Sequence, residues 1–276
     1  MPVERRTLLR TDDVLLADVR CGGAPRGWTP MRQAAVFGLV MVRRGLVRGR
    51  VQGVEQLLDP ASVYVERLGC EQQFSHPCGD DVYTEIILSE PQVAALLGGD
   101  PTVPQGLVFT TPELTLAHRL LLARARTGAQ PGGDAFELAE RTTAVAARIL
   151  GQLAPTRVAS GHPRSARARR LLVDDARASL GTDVTQGLDS LARAVGCSPH
   201  HLSRVFRTET GTTLTRYRNR LRVAHALERL TEGERDLALL ANDLGFSDQP
   251  HLTHALRLGT GHTPGRLRAL LGPVLP

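Results

Sequence analysis

The chain has 276 residues, 42% apolar and 22% charged, enough for two domains that each bury a core, so wholesale disorder is not the expectation. Its formal net charge is +6, and all 34 basic residues are arginines. Residues 1–159 hold 17 Arg against 17 Asp and Glu, whereas residues 160–276 hold 17 against 11. The whole excess sits in the C-terminal part, as in a nucleic-acid module joined to a neutral one.

The opening stretch MPVERRTLLRTDD has no apolar segment of signal-peptide length, and the longest apolar run, Ala34–Val42, is too short for a bilayer. No membrane partner is expected. Cys21, Cys70, Cys78 and Cys197 lie far apart without a CxxC pair, which argues against a zinc framework or a disulfide scaffold and for a reducing cytoplasm.

In chain order, AAVFGLVMV (34–42) predicts a buried strand. LVRGRVQGV (46–54), set off by Gly45, predicts a half-exposed strand that forms a hairpin with it. Asp59-Pro60 marks a turn, and Ser62–Glu66 and Asp81–Leu88 predict two further strands. Short strands between turns imply a small antiparallel β-sandwich or barrel, either solid or holding a ligand between its sheets. Within it, Cys70, His76 and Cys78 are the only cluster with metal-ligand chemistry, two thiolates and an imidazole suited to a thiophilic ion or a redox thiol. No fourth ligand is evident, so a turn with incidental cysteines is the preferred reading, and no metal or cofactor is expected.

Thr111-Pro112 starts a helix carrying Leu114, Leu116, Leu120 and Leu121 as far as about Gly128. Asp134 caps a second helix, striped by Leu138, Ala139, Thr142, Val145, Ala146, Ile149 and Leu150. Such a helical hairpin either covers the sandwich or pairs with a second copy. Pro155 to Ser165 reads as a linker, giving a β-rich domain at 1–155, a linker at 156–164 and a helical domain at 165–276. The last begins with a helix near 165–180 that turns Leu171, Leu172 and Ala176 inward.

Leu188–Gly211 and Leu237–Gly261 repeat one plan. With Gly196 set over Gly245, Leu188, Leu191, Ala192 and Val195 fall on Leu237, Leu240, Ala241 and Leu244. One residue is inserted after the glycine in the second copy. Leu202, Arg207, Gly211, Thr213 and Arg218 then fall on Leu252, Arg257, Gly261, Thr263 and Arg268. Each copy reads as a short helix, a glycine turn, a Ser cap (Ser198, Ser247) and a second amphipathic helix: a helix-turn-helix. Leu202, Val205 and Phe206 pack inward at i, i+3 and i+4, leaving His200, Ser203, Arg204 and Arg207 on a polar, basic face suited to a DNA groove. Leu214–Leu230 is a long helix tying the copies together.

The motifs GCSPHHLSRVFRxxxG and GFSDQPHLTHALRxxxGxTP resemble the double helix-turn-helix domain of AraC/XylS-family transcription regulators, over about 110 residues. The β-rich half is similar to the effector-binding and dimerisation domain of that family in organisation alone. The resemblance implies an α+β chain with an N-terminal cupin-like sandwich or barrel and a helical hairpin, followed by an all-α double helix-turn-helix domain. It implies double-stranded DNA as partner, and it allows for a small-molecule effector, RNA polymerase and a homodimer. By motif position it makes His200, Ser203 and Arg204 base-facing with Arg207 on a phosphate, and Gln249, Thr253 and His254 base-facing with Arg257 on the backbone. Leu256 stands where the family has an aromatic and His254 where it often has Arg, which points to looser reading by the second unit. The function expected is a sequence-specific, non-enzymatic regulator, an activator. The alternatives are a small-molecule-modifying β-barrel enzyme fused to the same domain, or an architectural DNA binder of low specificity. The first 110 residues hold a single His, which disfavours cupin-type metal chemistry.

Overall fold

The structure is a computed structural model, and it describes residues 3–22, 27–103, 107–127, 135–153 and 163–272. Its N-terminal half carries two antiparallel sheets. The six-stranded sheet runs in the order β1 (Val3–Arg10), β2 (Val14–Gly22), β9 (Asp80–Leu88), β4 (Phe37–Arg44), β7 (Ser62–Glu66), β10 (Leu107–Phe109). The four-stranded sheet runs β3 (Arg32–Gln33), β8 (Glu71–Ser75), β5 (Val47–Val51), β6 (Val54–Leu58).

The apolar run in β4 is unbroken because this strand is buried on both faces. Leu39 and Met41 point into a core shared with α2 (Pro112–Thr127) and α3 (Ala135–Leu150), while Val42 points between the sheets with Val47, Val51, Leu58 and Tyr64. Strand alternation produces the split. The same holds for β7, where Val63 and Val65 face the helices and Tyr64 faces the other sheet. The stripe Val145, Ala146, Ile149, Leu150 of α3 covers the first face, so the helical hairpin lies over the sandwich.

One expected pairing is corrected. β4 bonds to β7 and β9, not to the strand that follows it. Gly45 takes φ +87°, and a Cβ there would sit 1.9 Å from Asp81 Oδ1, which accepts the Leu46 N–H at 3.0 Å. Only glycine turns the chain from one sheet into the other at this point. LVRGRVQGV is itself the hairpin region: β5 and β6 pair around Gln52-Gly53, both at positive φ (50° and 74°), as a tight two-residue turn requires. β1, β2, β3, β8, β10 and α1 (Glu90–Leu97) add to the expected elements.

The C-terminal half contains α4 (Pro163–Thr182), α5 (Leu188–Ala194), α6 (Pro199–Thr210), α7 (Leu214–Thr231), α8 (Leu237–Asp243), α9 (Gln249–Thr260) and α10 (Pro264–Leu271). Leu171, expected inward, is 38% exposed; Val173, Ala176 and Leu180 form the buried stripe of α4. The expected cap Asp134 and most of the expected linker lie outside the described residues, and Pro163 already belongs to α4. Among the described residues, no helix is long and apolar enough to cross a membrane. The fold class is the expected one, an antiparallel β domain with a helical hairpin followed by an all-α double helix-turn-helix.

The two halves share a core. Ala61 and Leu116 pack with Tyr217, Leu221 and Leu227. Arg177 of α4 reaches the β6–β7 turn, where its Nη2 lies 2.8 Å from Asp59 Oδ2, and Nη2 also donates to Ser62 Oγ at 3.2 Å. Tyr217 Oη donates to the same Asp59 oxygen. A second cluster joins β4, α2 and α7. Arg43 Nη2 bonds to Asp18, Arg43 Nη1 donates to Glu228 Oε1 at 3.5 Å, and Arg119 Nε lies 2.9 Å from Glu228 Oε2, off the hydrogen-bonding direction.

Candidate nucleic-acid interface

The internal repeat extends to individual hydrogen bonds. Gly196 and Gly245 turn between their helices at φ +71° and +69°. Ser198 Oγ accepts the His201 N–H at 3.2 Å and caps α6; Asp248 Oδ1 accepts the His251 N–H at 2.7 Å and caps α9. The expected cap Ser247 is therefore displaced by one residue. The inserted residue puts Asp248, not Ser247, opposite Ser198, and Ser247 Oγ instead lies 3.1 Å from His251 Nδ1. Gly211 and Gly261 end the two helices in the left-handed region, at φ +70° and +76°. Thr213 and Thr263 cap the helices that follow. Arg218 Nη1 donates to Gln186 O at 2.7 Å, and Arg268 Nη1 donates to Arg235 O at 3.2 Å. Each of these carbonyls immediately precedes the cap of the first helix of its unit, so each unit is fastened by the same arginine.

These anchors leave one face of α6 and one face of α9 outward. Leu202, Val205 and Phe206 are buried, as are Leu252 and Leu256. His200, Arg204 and Arg207 are exposed and Ser203 half-buried beside them; Arg204 Nη2 donates to His201 Nδ1 at 3.4 Å. In α9, His254 and Arg257 are exposed and Thr253 half-buried, at the positions of Arg204, Arg207 and Ser203. Gln249 is also exposed, but it is the first residue of α9 and stands opposite Pro199. The position matching His200 belongs to Pro250. Pro250 and Leu258, which stand one turn to either side of His254, are the outward residues that motif position alone does not single out. A helical spacing of four from His254 locates both.

The second unit has a tight support. A Cβ on Gly245 would meet Arg222 Nη2 at 2.7 Å and Thr185 Cα at 3.1 Å. The Arg222 guanidinium lies 5.3 Å from the Phe246 ring centre, and burial, aided by Arg218, lowers its pKa to about 10.

Elsewhere, His76 Nδ1 lies 2.9 Å from Asp81 Oδ2, Cys70 packs against the between-sheet core and Cys78 is exposed. Among the described residues, no group of three His, Cys, Asp or Glu is arranged to hold a metal ion.

Residues 191–269 match the family described as Helix-turn-helix domain. The HTH-type transcriptional regulator GlxA of Rhizobium meliloti (strain 1021) is 33% identical over 33% of this chain and 29% of its own length. The HTH-type transcriptional activator RhaR of Klebsiella pneumoniae subsp. pneumoniae is 30% identical over 45% of this chain and 46% of its own. The chain thus spans less than half the length of these curated relatives. An alignment with the crystal structure of ToxT from Vibrio cholerae O395 covers 95% of this chain and 99% of that one, with 9% identity and a TM-score of 0.36. The duplicated helix-turn-helix geometry and these sequence matches make the C-terminal domain similar to the helix-turn-helix domains of HTH-type transcriptional regulators, in keeping with the AraC/XylS resemblance of its motifs.

Proposed function

We propose that the chain is a sequence-specific transcription activator in which α6 and α9 enter two successive major-groove segments on one face of the duplex. The observation that carries this reading is the duplication itself: two recognition helices with matching caps, matching fasteners and outward faces that each carry an exposed arginine, Arg207 and Arg257, joined by the single stiff helix α7. Arg204 presents two donors to guanine O6 and N7, with His200 and Ser203 giving less selective bonds, and Arg207 and Arg257 hold phosphates. Gln249, at the very start of α9, reaches adenine, and Thr253 and His254 follow it along the groove. The β-rich domain takes the sensing role, because it shares a buried interface with α4 and α7 through which a bound small molecule would shift the helix-turn-helix units. Activation then proceeds through contact with RNA polymerase at the promoter, by one copy of the chain or by a pair. Footprinting on genomic DNA should show protected promoter sites of about two helical turns, roughly 20 base pairs. An absence of any protected site would overturn the reading.

A further inference from the structure

The outward stripes of the two recognition helices differ in chemistry although their backbones match. On α6 the residues spaced four apart along the exposed side are His200, Arg204 and Thr208, each able to hydrogen-bond. On α9 the corresponding residues are Pro250, His254 and Leu258. Pro250 has no side-chain donor or acceptor. Leu258 is 78% exposed, more than any other large apolar side chain described. Pro250, Thr253, His254, Arg257 and Leu258 line one shallow depression on this face. Leu258 and Pro250 give this depression an apolar lining on the side of α9 opposite its buried residues Leu252 and Leu256.

We infer that α9 reads thymine C5-methyl groups, with Pro250, the Thr253 methyl and Leu258 as the contacts, so that the second segment of the site is A·T-rich where the first contains guanine. The inference rests on the proposed DNA-reading role of α9. In the major groove the thymine methyl is the only apolar feature that distinguishes one base pair from another, and apolar side chains are what recognise it. Arg257, exposed beside the depression, supplies the charge that holds the same face against phosphates and favours a duplex over an apolar protein groove as the occupant.

The test uses the full chain and a duplex carrying its footprinted site. Thymines in the segment facing α9 are replaced one at a time by deoxyuridine, which removes the methyl and nothing else. Affinity at fixed salt should fall about fourfold for each contacted methyl, whereas the same replacement in the segment facing α6 should change little. Leu258→Ala, an exposed substitution that leaves the core intact, should abolish the response at one thymine. Undiminished affinity for every deoxyuridine duplex would overturn the inference while leaving DNA reading in place. Unchanged DNA binding by Leu258→Ala with loss of transcription activation would instead assign the patch to a protein partner, which also overturns it. Failure of the chain to prefer any site would overturn the proposed function itself.

Discussion

Arg177 Nη2 lies 2.8 Å from Asp59 Oδ2, joining a helix of the C-terminal domain to a turn of the β domain with both side chains at most 2% exposed. The pair is fully served. Asp59 also accepts from Tyr217 Oη, from the Ala61 N–H at 3.0 Å and from Ser62 Oγ at 3.1 Å. Arg177 further donates to Asp174 at 3.0 Å, and its guanidinium carbon lies 5.2 Å from the Phe109 ring centre. Burial opposes the charge on Arg177, but Asp59 outweighs it and keeps the guanidinium protonated.

Removing Asp59 leaves the buried Arg177 charge with only the partly exposed Asp174 opposite it, which costs far more than the pair itself contributes. Asp59→Ala should destabilise the chain by about 3–5 kcal/mol. Asp59→Ala combined with Arg177→Met should recover much of that loss. Denaturant unfolding of the three proteins checks both statements, and equal stability of the single and double variants would show that the charge is not the cause.

Arg204 and Arg207 should separate in DNA binding. Arg204→Ala is expected to relax base preference at one position at a cost of about 1–3 kcal/mol, while Arg207→Ala weakens binding to all sequences and reduces the salt slope by about 1. Titrations over a salt series on the selected site and on random DNA measure both effects.

The two turn glycines should respond unequally to alanine. Both take positive φ, which costs a side-chain residue about 1–2 kcal/mol. At Gly196 a Cβ would meet nothing within 4 Å, whereas at Gly245 it would press on Arg222 and on the Thr185 backbone. Gly245→Ala should therefore lower the melting temperature distinctly more than Gly196→Ala.

Acid should weaken the fold through buried histidines. His118 accepts from Arg119 at Nδ1 (3.1 Å) and donates from Nε2 to Thr84 Oγ1 at 2.9 Å; burial first, then Arg119, holds its pKa well below the ordinary value. Burial also lowers His225. A histidine kept neutral when folded but free to protonate when unfolded contributes stability that is complete above its unfolded pKa of about 6.5 and declines as pH falls below it. Between pH 7 and 5.5 the native protein should lose more melting temperature than His118→Gln, in which that titration is absent. Parallel losses in the two proteins would contradict this origin.

The helix-turn-helix half was legible in the sequence because its interactions are local. Glycines, caps and buried stripes recur within a few residues, and α7 buries Leu214, Tyr217, Leu221, Ala224, Leu227 and Leu230 as their spacing implies. The turn of α9 was misread by one residue, since Ser247 and Asp248 are both competent caps and only the backbone chooses between them. Strand β1 escaped detection because VERRTLLR is an edge strand with an exposed, charged face. Helix α1 did carry a signal, Ser89 before Glu90-Pro91, and Ser89 Oγ does cap it. The interdomain contacts could not be read at all. Asp59 is separated from Arg177 by 118 residues and from Tyr217 by 158, and in sequence it signals only a turn.

Selection of bound duplexes from a random pool, followed by the ratio of specific to random affinity at one physiological salt concentration, addresses sequence reading by α6 and α9 most directly. The expected result is a site with two preferred segments about one helical turn apart and a ratio of at least about 10³. Equal affinity for selected and random DNA, or a single preferred segment unaffected by substitutions in α9, would contradict it.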